Sequence, residues 1–278
     1  MKKIAVASGK GGTGKTTVSL LLSYVLSEHH KVQLVDCDVE NPDCHLFFNK
    51  NPDMHEEVNV FYPVIDQEKC TFCGKCQQVC EYNCLLVMKD NVMFFKELCH
   101  PCKGCLVVCP EKAITEGKRC VGEKFSYKEH KNIFFDYAVM NVGEARANPL
   151  IEELKTGIKD NVDFVIYDSP PGANCPMVEA VKDTDYVALV TEPTPFGLYD
   201  LKIAWSVIKK LDIPCGVIIN RSEGDDGLIE DFADKEALDI ILRIPFSREF
   251  ASYYSKGIIK RKYFPEQEKR ILKYFEKL

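Results

Sequence analysis

Fourteen of the 278 residues are cysteines, and ten of these fall between Cys70 and Cys120. A thiol can be a nucleophile, half of a disulfide or a soft metal ligand, and spacing separates these chemistries. Cys70-x2-Cys73-x2-Cys76-x3-Cys80 is followed by Cys99-x2-Cys102-x2-Cys105-x3-Cys109-Pro110, the first run displaced by 29 positions. The duplication points to two equivalent metal sites, and C-x2-C-x2-C-x3-C is a spacing that holds iron–sulfur clusters. Three cysteines on one tight loop reach three corners of a cube, and the fourth corner needs a ligand from elsewhere. Zinc pairs, which use CxxC elements with longer spacers, and plain reduced thiols are the alternatives; two runs in register disfavour both. The segment also has too few apolar residues to fold alone, as expected where a metal supplies folding free energy.

A second constellation opens the chain. Gly9-Lys10-Gly11-Gly12-Thr13-Gly14-Lys15-Thr16 satisfies G-x-x-x-x-G-K-[ST] between a short apolar strand and an apolar helical run from Thr17 to Leu26. Glycines let successive backbone N–H groups turn inward on a phosphate, and the helix N-terminus adds its positive end. Lys15 is expected on the β- and γ-phosphates and the Thr16 hydroxyl on Mg2+. Gly9, Gly11, Gly12, Thr13, Gly14 and Thr17 complete the expected ATP cradle.

The cysteine runs resemble bacterial ferredoxins with two [4Fe–4S] clusters, in which the fourth cysteine of each run serves the other cluster. That resemblance implies Cys70, Cys73, Cys76 and Cys109 at one cluster, and Cys99, Cys102, Cys105 and Cys80 at the other. Glu81 stands where the second run has Pro110, which is not a ligand position. Cys84 stands where the duplicate has Ala113, either as a small buried residue or as a ninth, exchangeable thiol ligand. Cys120 is unassigned.

The phosphate loop, with its extra lysine at Lys10, resembles the deviant Walker A signature of the MinD/ParA/Mrp class of ATPases. The resemblance implies ATP-dependent face-to-face dimers, either of one chain or with a homologous ATPase, in which Lys10 reaches the partner's nucleotide. It makes Val32–Asp38 the first switch, with Asp38 activating water and Asp36 supporting Mg2+. Phe164–Asp168 becomes the Walker B strand, with Asp168 in the Mg2+ shell and Pro170-Pro171-Gly172 as the second switch. Asn220 then recognises adenine, and Pro245 lines the other side of the base. Over essentially its whole length the sequence is similar to MinD-superfamily ATPases containing an inserted ferredoxin domain. Cys175, just after the second switch, is read as structural or as a nucleotide-gated ligand of a dimer-bridging cluster.

These residues need a frame. Apolar strands near 3–7, 32–36, 163–168, 186–191, 215–220 and 240–244 alternate with helical patterns over 16–28, 144–158, 198–211, 228–238, 248–256 and 266–277. That alternation predicts an α/β fold with a doubly wound, mainly parallel sheet. The expected division is a discontinuous ATPase domain, 1–60 and 118–278, and an inserted α+β ferredoxin-like domain, 61–117. Residues 119–142 read as extended structure returning to the sheet.

Composition narrows the function. A hydrophobic content of 46% with 28% charged residues is that of a globular protein. The N-terminal apolar run is too short for a signal peptide, so a cytoplasmic location is expected. A net charge of −6 argues against nucleic-acid binding. Residues 266–278 form an amphipathic pattern with Ile271, Leu272, Phe275 and Leu278 on one face; the acidic Glu266, Glu268 and Glu276 favour docking on the protein's own core over a membrane. Three functions fit an ATP-hydrolysing iron–sulfur protein: ATP-gated electron transfer to a redox or cofactor-maturation partner, cluster delivery to an acceptor apoprotein, or positioning in the manner of MinD. Eight cysteines in full register predict tightly held clusters and favour the first.

Overall fold

The computed structural model describes residues 1–130 and 132–278. In chain order its strands are β1 (Lys2–Ala7), β2 (Val32–Asp36), β3 (Met54–Ile65), β4 (Leu85–Val87), β5 (Val92–Phe94), β6 (Ile114–His130), β7 (Ile133–Met140), β8 (Phe164–Asp168), β9 (Tyr186–Thr191), β10 (Cys215–Ser222) and β11 (Asp239–Pro245). The helices are α1 (Lys15–Leu26), α2 (Lys75–Gln78), α3 (Gly104–Val108), α4 (Asn148–Thr156), α5 (Cys175–Val181), α6 (Pro195–Lys210), α7 (Gly227–Lys235), α8 (Arg248–Tyr254) and α9 (Pro265–Phe275).

Among the described residues nine strands make one sheet in the order β11-β10-β9-β1-β8-β2-β7-β6-β3. From β11 to β7 every neighbouring pair is parallel. The interior strands β1, β2, β8 and β9 read as nearly continuous apolar runs because helices cover both faces of the sheet. One core lies on the α1–α9 side, where Leu20, Leu22, Ile271 and Phe275 pack against Ile4, Leu34 and Ile166. The opposite core joins Leu150, Ile151, Met177, Leu201 and Ile208 to Ala5, Val35 and Val165. Helix α9 buries Ile271 and Phe275 in the protein's own core, with Leu272 and Leu278 partly buried against it. Among the described residues no helix is long and apolar enough to cross a membrane.

The other margin of the sheet is antiparallel. β6 pairs with β7 on one side and β3 on the other, and β3 and β6 form one ladder from Met54↔Ser126 to Ile65↔Ile114. The expected joints at 60/61 and 117/118 therefore fall inside continuous strands. Pro63 is tolerated in β3 because that strand is the outer edge, where no ladder hydrogen bond is lost. The far end of this ribbon carries both cysteine runs, α2, α3 and the hairpin β4–β5. Leu85, Val92 and Ile114 form a small cluster there with Cys84, Cys99 and Cys105, separate from the two main cores. The duplication persists in the backbone: Gly74 and Lys103 have φ of 78° and 60°, and Asn83 and Lys112 have 52° and 51°.

Candidate nucleotide and cluster sites

In a parallel sheet the carboxyl ends of the strands share one edge, and ligands bind in the crevice there. The loop after β1 turns at Gly12 and Gly14, with φ of 80° and 94°, and delivers Lys15 as the first residue of α1. A crevice of about 630 Å3 opens beside it, lined by Gly11, Gly12, Gly14, Lys15, Thr16 and Thr17, by Asp38, by Pro170 and Pro171, and by Asn220 and Pro245.

The register Asp36↔Asp168 sets two aspartates side by side at the ends of β2 and β8. Both carboxyls titrate above the usual carboxylate range, chiefly because they are buried. Asp36 accepts backbone N–H bonds from Asp38 at 3.1 Å, Asp43 at 3.0 Å and Cys44 at 2.9 Å. Asp36 thereby shapes the loop after β2 and does not itself line the crevice. Asp168 accepts from the Ser19 hydroxyl at 3.0 Å and from the Cys44 thiol at 3.4 Å, and the nearby Thr16 side chain helps hold its pKa down against burial. Asp38 is half-buried, and burial pushes its pKa up to about 6 against the pull of Lys15. Burial likewise lowers the pKa of Lys15, opposed by Asp168, Asp38 and Asp36.

One lysine thus faces three desolvated carboxyls, an arrangement that calls for a further cation. Hard oxygen donors from Thr16 and the aspartates fit Mg2+. Ligand atoms of Asp36, Cys44 and Asp168 lie within 4.8 Å of one another. The Thr13 hydroxyl is buried in the loop without a hydrogen-bond partner, and a phosphate oxygen would satisfy it. The residues present fit Mg2+–ATP.

Two expected residues make other contacts. Asn220 sits at the crevice, but its Nδ2 donates to the Thr13 carbonyl at 2.7 Å, so its amide donor braces the phosphate loop. Lys10 is not part of the crevice wall and pairs at 3.7 Å with Asp200 of α6. Gly9 lies against the same residue: a Cβ there would stand 2.1 Å from the Asp200 carbonyl oxygen. Sequence reasoning missed Ser19, Cys44 and Asp200. Only Ser19 carried a signal, three residues after Thr16 and hence on the same face of α1.

At the ribbon's end Cys70, Cys73, Cys76 and Cys109 line a single pocket with Phe72, Val92 and Ala113. In the other half the Cys80 and Cys84 sulfurs are 3.2 Å apart, and Cys84 is buried in the same small cluster as Cys99. Cys99 and Cys105 are buried, whereas Cys73 and Cys102 are exposed. Burial pushes the Cys105 thiol up to about 11 and raises Cys76 and Cys99 as well. Four cysteines that line one pocket, with Cys84, Cys99 and Cys105 in the small cluster beside it, suit iron–sulfur ligation better than isolated thiols. Cys120 lies back on β6, its sulfur 3.6 Å from the Asn141 amide, and Cys175 is exposed at the start of α5.

Residues 141–147 join these regions. Arg119 of β6 pairs with Glu144, whose side chain is 4% exposed, and Arg146 stands 3.6 Å from the same carboxylate. Burial alone would raise Glu144, but Arg119 and then Arg146 hold it below the usual range. Nε and Nη1 of Arg146 are buried without partners, its charge acts on Cys99 and His100, and the next residue, Ala147, lines the nucleotide crevice.

A parallel sheet with a phosphate loop after its first strand, and buried aspartates ending two adjacent strands, defines a P-loop nucleotide-binding protein. The chain belongs to the CobQ/CobB/MinD/ParA nucleotide binding domain family, which it matches over residues 4–259. An uncharacterized protein of Methanocaldococcus jannaschii is 33% identical over 92% of this chain and 90% of its own length. The iron-sulfur cluster carrier protein of Aquifex aeolicus is 26% identical, covering 91% of this chain and 60% of its own. Among solved structures, the cell division ATPase MinD of Pyrococcus furiosus superposes with a TM-score of 0.61 at 20% identity, over 99% of this chain and 98% of that one. MinD of Pyrococcus horikoshii with Mg-ADP gives 0.60 at 21% identity, over 99% and 95%. At these identities the likeness is one of fold.

Proposed function

We propose that this chain is an ATP-hydrolysing iron–sulfur protein in which nucleotide state gates electron transfer, through two [4Fe–4S] clusters, to a redox or cofactor-maturation partner. The observation that carries the reading is the loop 141–147, which binds the cluster-bearing ribbon through Arg119–Glu144 and reaches the nucleotide crevice at Ala147. A γ-phosphate that reorders the loops after β2 and β8 would act on this connection, as switch loops do in related chemistry.

In this reading Lys15 and the inward N–H groups of the loop hold the phosphates. Thr16 and Asp168 hold Mg2+, with Asp36 fixing the loop that presents Asp38. Asp38 orients the attacking water and accepts its proton. Lys10 leaves Asp200 to reach the nucleotide of a dimer partner, another copy or a homologous ATPase. Residues 61–117 act as the cluster domain and 1–60 with 118–278 as the ATPase, the ribbon spanning both. Bound clusters would supply one-electron storage, and the two sets of four cysteines would hold them.

Cluster delivery is a second reading, favoured by relatives such as the Aquifex aeolicus protein named an iron-sulfur cluster carrier protein. EPR-monitored reduction after anaerobic reconstitution separates the two. Electron gating predicts that both clusters cycle reversibly, stay bound beside apo-acceptors, and change potential or reduction rate with Mg2+–ATP. Transfer of iron to the acceptor would support delivery instead, and spectra and rates indifferent to ATP would refute gating. Lys15→Ala is expected to abolish ATP binding while the cluster absorbance stays unchanged; loss of both would contradict two separable sites.

A further inference from the structure

We propose that Cys84 is a ninth cluster thiol, able to replace Cys80 as fourth ligand of the second cluster at a ligand-exchange site that the first cluster lacks. This rests on the reading that the cysteine runs hold clusters. Cys84 is 4% exposed, and its sulfur lies 3.2 Å from that of Cys80. It belongs to the same small apolar cluster as Cys99 and Cys105, two other members of that ligand set.

The duplication supplies the comparison. Asn83 and Lys112 are both left-handed, and their N–H groups bond back to the carbonyls of Cys80 and Cys109 at 3.1 and 3.3 Å. The residues that follow, Cys84 and Ala113, therefore leave equivalent turns in equivalent directions. Ala113 lines the pocket formed by Cys70, Cys73, Cys76 and Cys109. Its counterpart accordingly presents a thiol to the second set of cysteines, where the first set meets only a methyl group.

Exchange needs no outside reagent. As the iron–Cys80 sulfur bond breaks and an iron–Cys84 sulfur bond forms, the Cys84 proton passes to the Cys80 sulfur across their contact. Charge, electron count and iron oxidation state are unchanged. The second cluster then keeps four thiolate ligands while the residue anchoring it changes, and the half-buried Cys80 is freed.

The test compares symmetric variants of the full chain, scored by iron content and EPR after anaerobic reconstitution, with ATP binding as the check on folding. Wild type and Cys84→Ala are expected to hold about eight iron atoms, four per cluster. Cys80→Ala should hold the same number, whereas Cys109→Ala, with only Ala113 nearby, should lose up to half. Cys80→Ala with Cys84→Ala should fall to the Cys109→Ala level. Cys109→Ala with A113C, which builds the same device into the other half, should recover the lost iron. Equal losses in Cys80→Ala and Cys109→Ala would overturn the inference, as would full iron in the double alanine variant. A wild type that takes up no cluster would instead refute the function on which the inference rests.

Discussion

Asp38 is half-buried with its carboxyl pushed up to about 6, first by desolvation and then by Asp168, while Lys15 opposes. An unfolded aspartate titrates near pH 4, so this raised group contributes stability that is full below about pH 4 and is lost as pH rises through about 6. Asp38→Asn removes the titration. In the nucleotide-free protein the melting temperature of wild type should therefore fall relative to Asp38→Asn between about pH 4.5 and about pH 7. Mg2+–ATP should shrink or reverse that gap, because a cation favours the charged carboxylate; a gap constant across pH would refute this account. Gly14 makes a second residue-scale case. Its φ of 94° suits glycine, and a Cβ would stand 2.2 Å from the Asn220 amide nitrogen. Gly14→Ala should destabilise by about 1–3 kcal/mol for the left-handed backbone alone and also break the Asn220–Thr13 bond. Adding Asn220→Ala should relieve the collision but not the backbone strain, a non-additivity readable in a double-mutant cycle of melting temperatures.

At the scale of elements, the loop after β7 is held to the ribbon by Arg119–Glu144 and to β6 by the Asn141 amide on the Cys120 carbonyl at 3.2 Å. The Glu144 side chain is buried, and removing Arg119 takes away its nearer cation and leaves its charge to Arg146 alone. Arg119→Gln should therefore loosen this loop while both ligand sites stay loaded. The expected result is full iron content and ATP binding, with the ATP-dependent change in cluster EPR or reduction rate diminished; an unchanged ATP response would exclude this loop as the link. The elements differ in how far the sequence revealed them. The parallel strands announce themselves through uninterrupted Val, Ile and Leu runs because both their faces are buried. β3 does not: it is an edge strand with alternating polar residues and Pro63, features that weaken any strand reading. The phosphate loop was legible because every donor sits within eight consecutive residues. Cys44, Asp200 and Glu144 were not, since each acquires its partner only through tertiary contact. The brace from Asn220 to Thr13 escaped for the same reason, as the pair is separated by 207 positions.

The whole molecule is a nucleotide-binding sheet extended at one margin by a ribbon whose far end bears the two cysteine runs. Ile65 and Ile114 face each other at the ribbon's end, and Asp66 N–H bonds the Ala113 carbonyl at 2.8 Å. The segment between them thus leaves and returns at nearly one point, so its removal need not stretch the chain. Antiparallel strands whose ends meet in this way are closed by a two-residue turn such as Asn-Gly, whose twist matches theirs. The apolar cluster beside the cysteine runs is separate from the two cores flanking the sheet, so excision exposes neither core. A chain in which Asn-Gly replaces residues 66–113 should fold, bind ATP with affinity within about tenfold of the parent, and take up no iron; tenfold is about 1.4 kcal/mol, little beside a typical folding stability. The reverse dependence is expected of residues 66–113, whose few apolar residues would leave folding to the proposed metal. Removing iron from the full chain should accordingly make residues 66–113 protease-sensitive while the sheet keeps its melting transition. Loss of ATP binding on excision would show that the two sites share a folding unit and not merely a connecting loop.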